Sequence, residues 1–132
     1  LNRIGMADLF LDTLPYNAHT TGSEALRMGV PVITLIGNSF ASRVAASIVT
    51  AVDMPELITR TQDEYESLAI ELAKNQERFN QIKQKLIENL PTSSLLNSQS
   101  FTKNLELAYE KMNALAHSKQ LPDHIIVKNL IS

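Results

Sequence analysis

The sequence has 132 residues, of which 44% are hydrophobic and 20% charged, as in a globular domain or part of a larger one. The 12 Lys and Arg residues against 14 Asp and Glu residues give a net charge of -2, without the basic excess of a nucleic-acid-binding surface. The absence of Cys excludes disulfides and thiolate metal sites. We expect a cytoplasmic protein, without a membrane partner because no apolar stretch is long enough to cross a bilayer.

The first half of the chain is predicted to alternate strands and helices. Strands are predicted at residues 7–11, 32–36 and 57–59, and helices at residues 21–28 and 40–52. The strands are nearly continuous apolar runs, which is typical of a parallel sheet buried on both faces by helices. The loops between them are short, so the order is β-α-β-α-β with right-handed crossovers. Glycine at position 29 is expected to end the first helix.

The second half is predicted to be helical. Thr61 and Glu64 have the spacing of a capping box. Three apolar stripes with helical spacing follow, at residues 65–72, 79–90 and 101–112. Pro91 is expected to end the second of these helices. We expect each stripe to pack against the sheet or against another helix.

The fold class predicted from this pattern is α/β, a partial Rossmann-like parallel sheet followed by C-terminal helices. Three strands are fewer than the roughly six of a doubly wound sheet, and residues 1–6 have the pattern of a helix end. We therefore expect a fragment of a longer protein, with further strands upstream. Residues 1–75 would form its ligand-binding β-α-β-α-β part, and residues 76–132 would add helices and a tail to the same domain.

The junction between the first strand and the first helix is the strongest candidate for a binding site. Ligands of open α/β sheets bind beyond the carboxyl ends of the strands. Four residues lie there at the start of a helix: His19, Thr20, Thr21 and Gly22. An imidazole, two hydroxyls and free backbone N–H groups at a helix N-terminus favour an anion, above all a phosphate. The glycine would let a ligand approach the backbone.

Glu24 leaves two interpretations of this junction open. Thr21 and Glu24 also have capping-box spacing, with Thr21 as the N-cap residue, and spacing alone supports both interpretations equally. A carboxylate beside a diphosphate is unfavourable, but a carboxylate accepts hydrogen bonds readily from a ribose diol. In a phosphate site, Glu24 would therefore hold the sugar of a nucleoside diphosphate.

Other polar residues give weaker signals. Asp12 is expected to make loop hydrogen bonds rather than to act as an acid. Arg43 would face an anion or, more commonly, pair with a surface acid. No metal site is expected, because His117 and His124 have no carboxylate cluster around them. No catalytic residue is assigned, since the chain has neither a nucleophile elbow nor a Walker A loop.

The junction resembles one known family. Residues 7–26, which contain His-Thr-Thr-Gly, are similar to the nucleotide-sugar segment of the O-linked N-acetylglucosamine transferases, including the SPINDLY-type proteins. The similarity continues through residues 29–34, 41–47, 56–58 and 122–124, so it spans nearly the whole chain. The combination of His-Thr-Thr-Gly with Ala-Ser-Arg-Val is its most specific part.

The resemblance implies a GT-B glycosyltransferase, in which two Rossmann-like domains hold a UDP-sugar between them. The chain would be the latter part of the second domain. His19, Thr20 and Thr21 would then contact the UDP phosphates, and Glu24 would take the place of an acidic residue, often Asp, on the ribose. The implied reaction transfers N-acetylglucosamine to protein Ser/Thr hydroxyls with inversion, without a cofactor or an essential metal.

The resemblance also implies what lies elsewhere. A phosphate-binding lysine, the base-recognising and acceptor-side residues and tetratricopeptide repeats would precede Leu1, so the isolated chain is expected to be inactive. Two alternatives stay open. One is a GT-B enzyme with another sugar or an N-linked acceptor, and the other is a non-catalytic scaffolding module that kept the fold.

Overall fold

The structure, a computed structural model, describes residues 3–118 and 121–127. The chain divides into two compact units, Leu1–Leu95 and Leu96–Ser132. The first contains a parallel sheet with its helices, and the second contains one long helix. The division predicted at residue 75 concerns which part binds a ligand, and it stays a prediction. In the part of the chain that is described, no helix combines the length and apolar character needed to cross a bilayer.

A three-stranded parallel sheet forms the centre of the first unit. Its strands β1 (Phe10–Leu11), β2 (Val32–Leu35) and β3 (Ile58–Thr59) lie side by side in sequence order. The paired residues are Phe10 with Val32, Leu11 with Ile33, Thr34 with Ile58 and Leu35 with Thr59. Three successive residues of β2 are buried, and because alternate residues face opposite sides, both sheet faces are covered. The predicted parallel sheet is confirmed, with strands shorter than predicted.

Five α-helices and three short 3-10 turns complete the described structure. The helices are α1 (Thr20–Arg27), α2 (Val44–Ala51), α3 (Gln62–Lys74), α4 (Gln76–Asn89) and α5 (Ser98–His117), and the turns are Ile4–Met6, Pro55–Leu57 and Leu90–Thr92. Gly29 follows α1 with a φ of 74°, the left-handed conformation that glycine adopts at helix ends. Pro91 lies in the turn after α4. Both predicted helix ends are confirmed.

The capping box predicted for α3 is present. The Thr61 hydroxyl accepts a hydrogen bond from the Glu64 N–H at 3.2 Å, and the Glu64 carboxylate accepts one from the Thr61 N–H at 3.3 Å. Two backbone donors at the start of the helix are thereby satisfied.

Helix α2 begins four residues later than predicted. In the segment before it, Ser39 and Ser42 bind one another: each hydroxyl accepts from the other residue's N–H, at 3.0 and 3.2 Å. The Gly37 N–H donates to the Ser42 carbonyl at 2.8 Å. Such local bonds offer the backbone an alternative to the helix, so the segment before Val44 is a compact loop and the predicted start at residue 40 was wrong.

The hydrophobic core lies around β2. Helices α1, α2 and α3 contact this strand, and α4 packs on α3. The side chains at its centre are fully shielded from solvent: Leu26, Ile33, Val49, Leu57 and Leu86. The apolar stripes of α3 and α4 contribute Leu72, Phe79 and Ile82 to the same cluster, so the packing predicted for them is confirmed.

The packing predicted for the third apolar stripe, which lies on α5, stays a prediction. On α5, Phe101 is 68% exposed, Tyr109 59% and Met112 52%, and the helix has no buried residue. The segment 121–127 contacts the C-terminal half of this helix. The Lys111 ammonium donates to the Ile126 carbonyl at 2.8 Å. Helical spacing identified residues that share a face, but it carries no information on what covers that face.

Candidate functional site

The candidate site lies at the carboxyl edge of the sheet, where two loops meet. Residues 12–19 connect β1 to α1, and residues 36–43 connect β2 to α2. The Asn17 N–H donates to the Ala41 carbonyl at 2.9 Å and joins the loops. The Asn17 side chain, itself buried, donates to the Thr13 carbonyl at 3.0 Å. The first loop therefore has a defined shape up to the start of α1.

Asp12 organises the first loop. Only 5% of this residue is exposed. One carboxylate oxygen accepts from the N–H groups of Thr13 at 2.9 Å and Ala18 at 2.6 Å, and the other accepts from the Thr34 hydroxyl at 2.6 Å. Bonds to an ionised acceptor are among the strongest in proteins. The loop hydrogen bonds predicted for Asp12 are confirmed, and they fix the residue that precedes His19.

Tyr65 connects α3 to the same point. Its hydroxyl donates to the Asp12 backbone carbonyl at 2.8 Å. Burial, and next the negative charge of Asp12, raise the pKa of the Tyr65 hydroxyl above its usual value of 10.0, so it remains a donor at neutral pH. Sequence reasoning placed Tyr65 only in an apolar stripe. The only sequence feature that pointed to this hydrogen bond was the presence of a tyrosine among the leucines and alanines of that stripe.

The N-terminus of α1 is uncapped. His19 is the N-cap residue and makes no side-chain cap hydrogen bond. The first backbone bond there runs from the Ser23 N–H to the His19 carbonyl at 3.1 Å. Within the described residues, the N–H groups of Thr20, Thr21 and Gly22 therefore have no acceptor. Three free donors point out of the positive end of the helix.

The capping box considered for Thr21 and Glu24 was wrong. The helix begins at Thr20, which places Thr21 second and Glu24 fifth, so Glu24 is too far along to cap. The Asp12 carboxylate binds the Ala18 N–H at the entrance to the helix, and the helical conformation is already in place at Thr20.

The polar side chains predicted for the site surround this helix end. Thr20 and Thr21 are exposed and Glu24 is half-buried, and none of the three has a partner among the described residues. The His19 Nε2 atom is shielded from solvent and also lacks a hydrogen-bond partner. An unpaired polar atom of this kind costs about 1–3 kcal/mol. The structure thus brings together four uncommitted polar side chains at one helix tip.

Gly22 has a packing role in the structure. It is buried, and a Cβ there would lie 3.3 Å from the Ala18 Cβ. Glycine at this position therefore lets the first loop lie close against α1. The approach of a ligand to the Gly22 backbone stays a prediction.

Arg43 pairs with no acid among the described residues, and that it faces an anion stays a prediction. Its Nη1 donates to the Gly37 carbonyl at 3.1 Å, which closes the second loop. Among the described residues, no group of three His, Asp or Glu side chains is placed to hold a metal ion. His117 ends α5 and His124 lies in the following segment, both in the second unit.

The comparison with protein families identifies the chain. The model of Glycosyl transferase family 41 matches residues 1–105, well over half of the sequence. The chain belongs to glycosyl transferase family 41. The matched range includes both loops of the candidate site and every residue predicted for it. The family resemblance stated from the motifs is confirmed.

Two plant proteins are among the relatives of this family 41 chain. It is 39% identical over 107 residues to the probable UDP-N-acetylglucosamine--peptide N-acetylglucosaminyltransferase SPINDLY of Hordeum vulgare, covering 81% of the chain and 11% of that protein. It is 38% identical over 128 residues to the probable transferase SEC of Arabidopsis thaliana, covering 96% of the chain and 13% of that protein. The chain thus spans little more than a tenth of the relatives' length.

A solved structure has the same fold. A lysine-to-methionine mutant of the Thermobaculum terrenum O-GlcNAc transferase aligns with a TM-score of 0.77 and 38% sequence identity. The alignment covers 84% of the family 41 chain and 22% of the solved one. The predicted α/β fold class is confirmed.

Proposed function

We propose that this chain is the UDP-binding part of a longer glycosyltransferase that transfers N-acetylglucosamine from UDP-N-acetylglucosamine to Ser/Thr hydroxyls of proteins. Membership of family 41 supports the reaction class, and the names of the plant relatives support the donor and the peptide acceptor. The chain would belong to the second domain of a GT-B enzyme. The absence of Cys fits a reducing compartment such as the cytoplasm.

The uncapped N-terminus of α1 carries this proposal. Its three free N–H groups and the positive end of the helix dipole provide the environment that a diphosphate requires. The Thr20 and Thr21 hydroxyls add two uncommitted donors, and His19 adds an imidazole nitrogen without a partner. The nearby Asp12 carboxylate does not use these donors, because it is committed to Thr13, Ala18 and Thr34.

Glu24 is assigned to the ribose. It lies one helical turn beyond Thr20, and residues four apart on a helix are neighbours on its surface. A carboxylate at this distance from the tip accepts from the two ribose hydroxyls without touching the phosphates. The side chain is half-buried and unpaired, so its acceptor oxygens are available.

These groups would act chemically by stabilising the leaving group. As the bond between the sugar and the UDP oxygen breaks, negative charge collects on the diphosphate, and an acceptor hydroxyl oxygen bonds to the anomeric carbon with loss of its proton. Fixed donors that face this charge lower the barrier because they need no reorganisation. In this proposal the His19 imidazole is a further hydrogen-bond donor, and the reaction needs no cofactor.

The test measures UDP binding and turnover in the full-length enzyme of which we propose this chain is a part. His19→Ala is expected to weaken UDP binding about tenfold and to lower turnover about 100-fold, with an unchanged melting temperature. His117→Ala, an exposed histidine at the end of α5, is the matched control and should behave as wild type. Wild-type binding and turnover in His19→Ala would contradict the proposal. If the full-length protein does not bind UDP, the result would favour the alternative of a scaffolding module.

A further inference from the structure

The imidazole of His19 has no polar tether. It makes no cap hydrogen bond, and its Nε2 has no partner. No other polar contact to its ring exists among the described residues. An untethered side chain rotates among its staggered rotamers, so a histidine that must present one nitrogen to a ligand needs another means of orientation.

Two aromatic rings supply that orientation. The Tyr16 ring stacks on the imidazole with 4.9 Å between centroids and 14° between planes. The Phe40 ring, from the second loop, meets it edge-on at 6.2 Å and 85°. Offset stacking and edge-to-face contact are the two arrangements that aromatic quadrupoles favour. The imidazole thus packs against the Tyr16 ring on one face and also contacts the Phe40 ring.

Tyr16 makes the closer of these contacts, and its backbone is fixed. Its carbonyl accepts from the Thr13 hydroxyl at 2.7 Å, within the loop that Asp12 holds. The Tyr16 side chain gains little from burial, because the residue is 64% exposed, and its hydroxyl has no partner in the described structure. The stacking on His19 is the one ring contact of this side chain among the described residues.

We propose that Tyr16 is a positioning residue that orients the His19 imidazole toward the donor diphosphate. The inference rests on the proposed function, because His19 must bind the diphosphate for its orientation to affect transfer. Tyr16 acts through the face of its ring and not through its hydroxyl, so phenylalanine should replace it and alanine should not.

The first measurement is independent of activity. In the full-length enzyme labelled at histidine, the His19 ring signal is identified by its loss in His19→Ala. Tyr16→Ala should move this signal, because the shielding by the stacked ring is lost, and Tyr16→Phe should leave it nearly in place. Tyr109→Ala, which removes another exposed tyrosine, is the control and should leave it unchanged. An unmoved signal in Tyr16→Ala would overturn the inference.

The second measurement is a double-mutant cycle on turnover in the full-length enzyme. Tyr16→Ala should lower kcat/KM about three- to tenfold, as expected for one aromatic pair, and Tyr16→Phe should restore it. In the His19→Ala background, Tyr16→Ala should cost nothing more. Additive losses would overturn the inference. Wild-type UDP binding by His19→Ala would instead contradict the proposed function, and the ring signal would still show whether Tyr16 orients the imidazole.

Discussion

At the scale of single residues, Asp12 contributes most to the shape of the site without belonging to it. Its carboxylate is buried and binds two N–H groups and the Thr34 hydroxyl. The sequence predicted loop hydrogen bonds for a carboxylate at the end of a strand. It did not show that one of these bonds goes to the Ala18 N–H, next to the N-cap residue of α1.

Removal of this carboxylate should be costly. In Asp12→Ala, the buried Thr34 hydroxyl and the Ala18 N–H lose their acceptor, so the free energy of unfolding should fall by about 2–3 kcal/mol. Asp8→Ala removes an exposed carboxylate without such contacts and should cost less than about 0.5 kcal/mol. Urea denaturation of the two variants measures the difference. Equal losses would show that the Asp12 bonds do not stabilise the fold.

Tyr65 should make stability depend on pH at alkaline values. Its pKa is raised in the folded chain, so the unfolded chain loses this proton first. The stabilisation is fully present below about pH 10, the usual tyrosine pKa, and is lost as pH rises through the folded value. The free energy of unfolding should therefore fall above about pH 10, and less steeply in Tyr65→Phe. Tyr109→Phe should keep the wild-type slope, and an unchanged slope in Tyr65→Phe would contradict the assignment.

At the scale of elements, sequence reasoning succeeded where one local rule decided the outcome. Gly29 and Pro91 ended their helices, and Thr61 with Glu64 capped α3. It failed where the structure of a segment depends on distant contacts or on competing hydrogen bonds. Ser39 and Ser42 hold the loop before α2 through bonds that the helix pattern hides.

The two capping-box patterns provide a direct comparison. Thr61→Ala removes an observed N-cap bond and should lower the free energy of unfolding by about 1 kcal/mol. Thr21→Ala matches the same sequence pattern but removes no cap bond, so its effect should stay within about 0.5 kcal/mol. Thermal denaturation of both variants shows whether the loss of stability follows the sequence pattern or the observed hydrogen bond. A comparable loss in Thr21→Ala would restore the capping interpretation of that residue.

At the scale of the whole molecule, the motifs predicted the family and the fold class, and the comparisons confirmed both. The identities of the site residues were also chosen from the sequence, and the structure gathers them at one helix tip. What the sequence lacked were contacts between distant segments. The Tyr65 hydroxyl binds the Asp12 carbonyl, and this contact does not follow from local spacing.

The isolated 132-residue chain should not transfer sugar. The proposed site offers hydrogen-bond donors, but the chain has a net charge of -2, and donors alone would leave most of a diphosphate's charge unbalanced. The relatives named as transferases are far longer, since the match covers 11–13% of their length. A radiolabelled UDP-N-acetylglucosamine assay with the purified chain should give the same counts as a blank. Transfer above the blank would contradict this prediction.

Because of the hydrogen bond between Ala18 and Asp12, a protected amide lies close to the free amides at the start of α1. The Ala18 N–H is bound to a buried carboxylate, so its hydrogen should exchange with deuterium only when the loop opens. The Thr20 and Thr21 N–H groups are free and should exchange quickly. A bound diphosphate should slow exchange at the two threonines. Hydrogen exchange at these three amides can therefore separate ligand binding from loop opening.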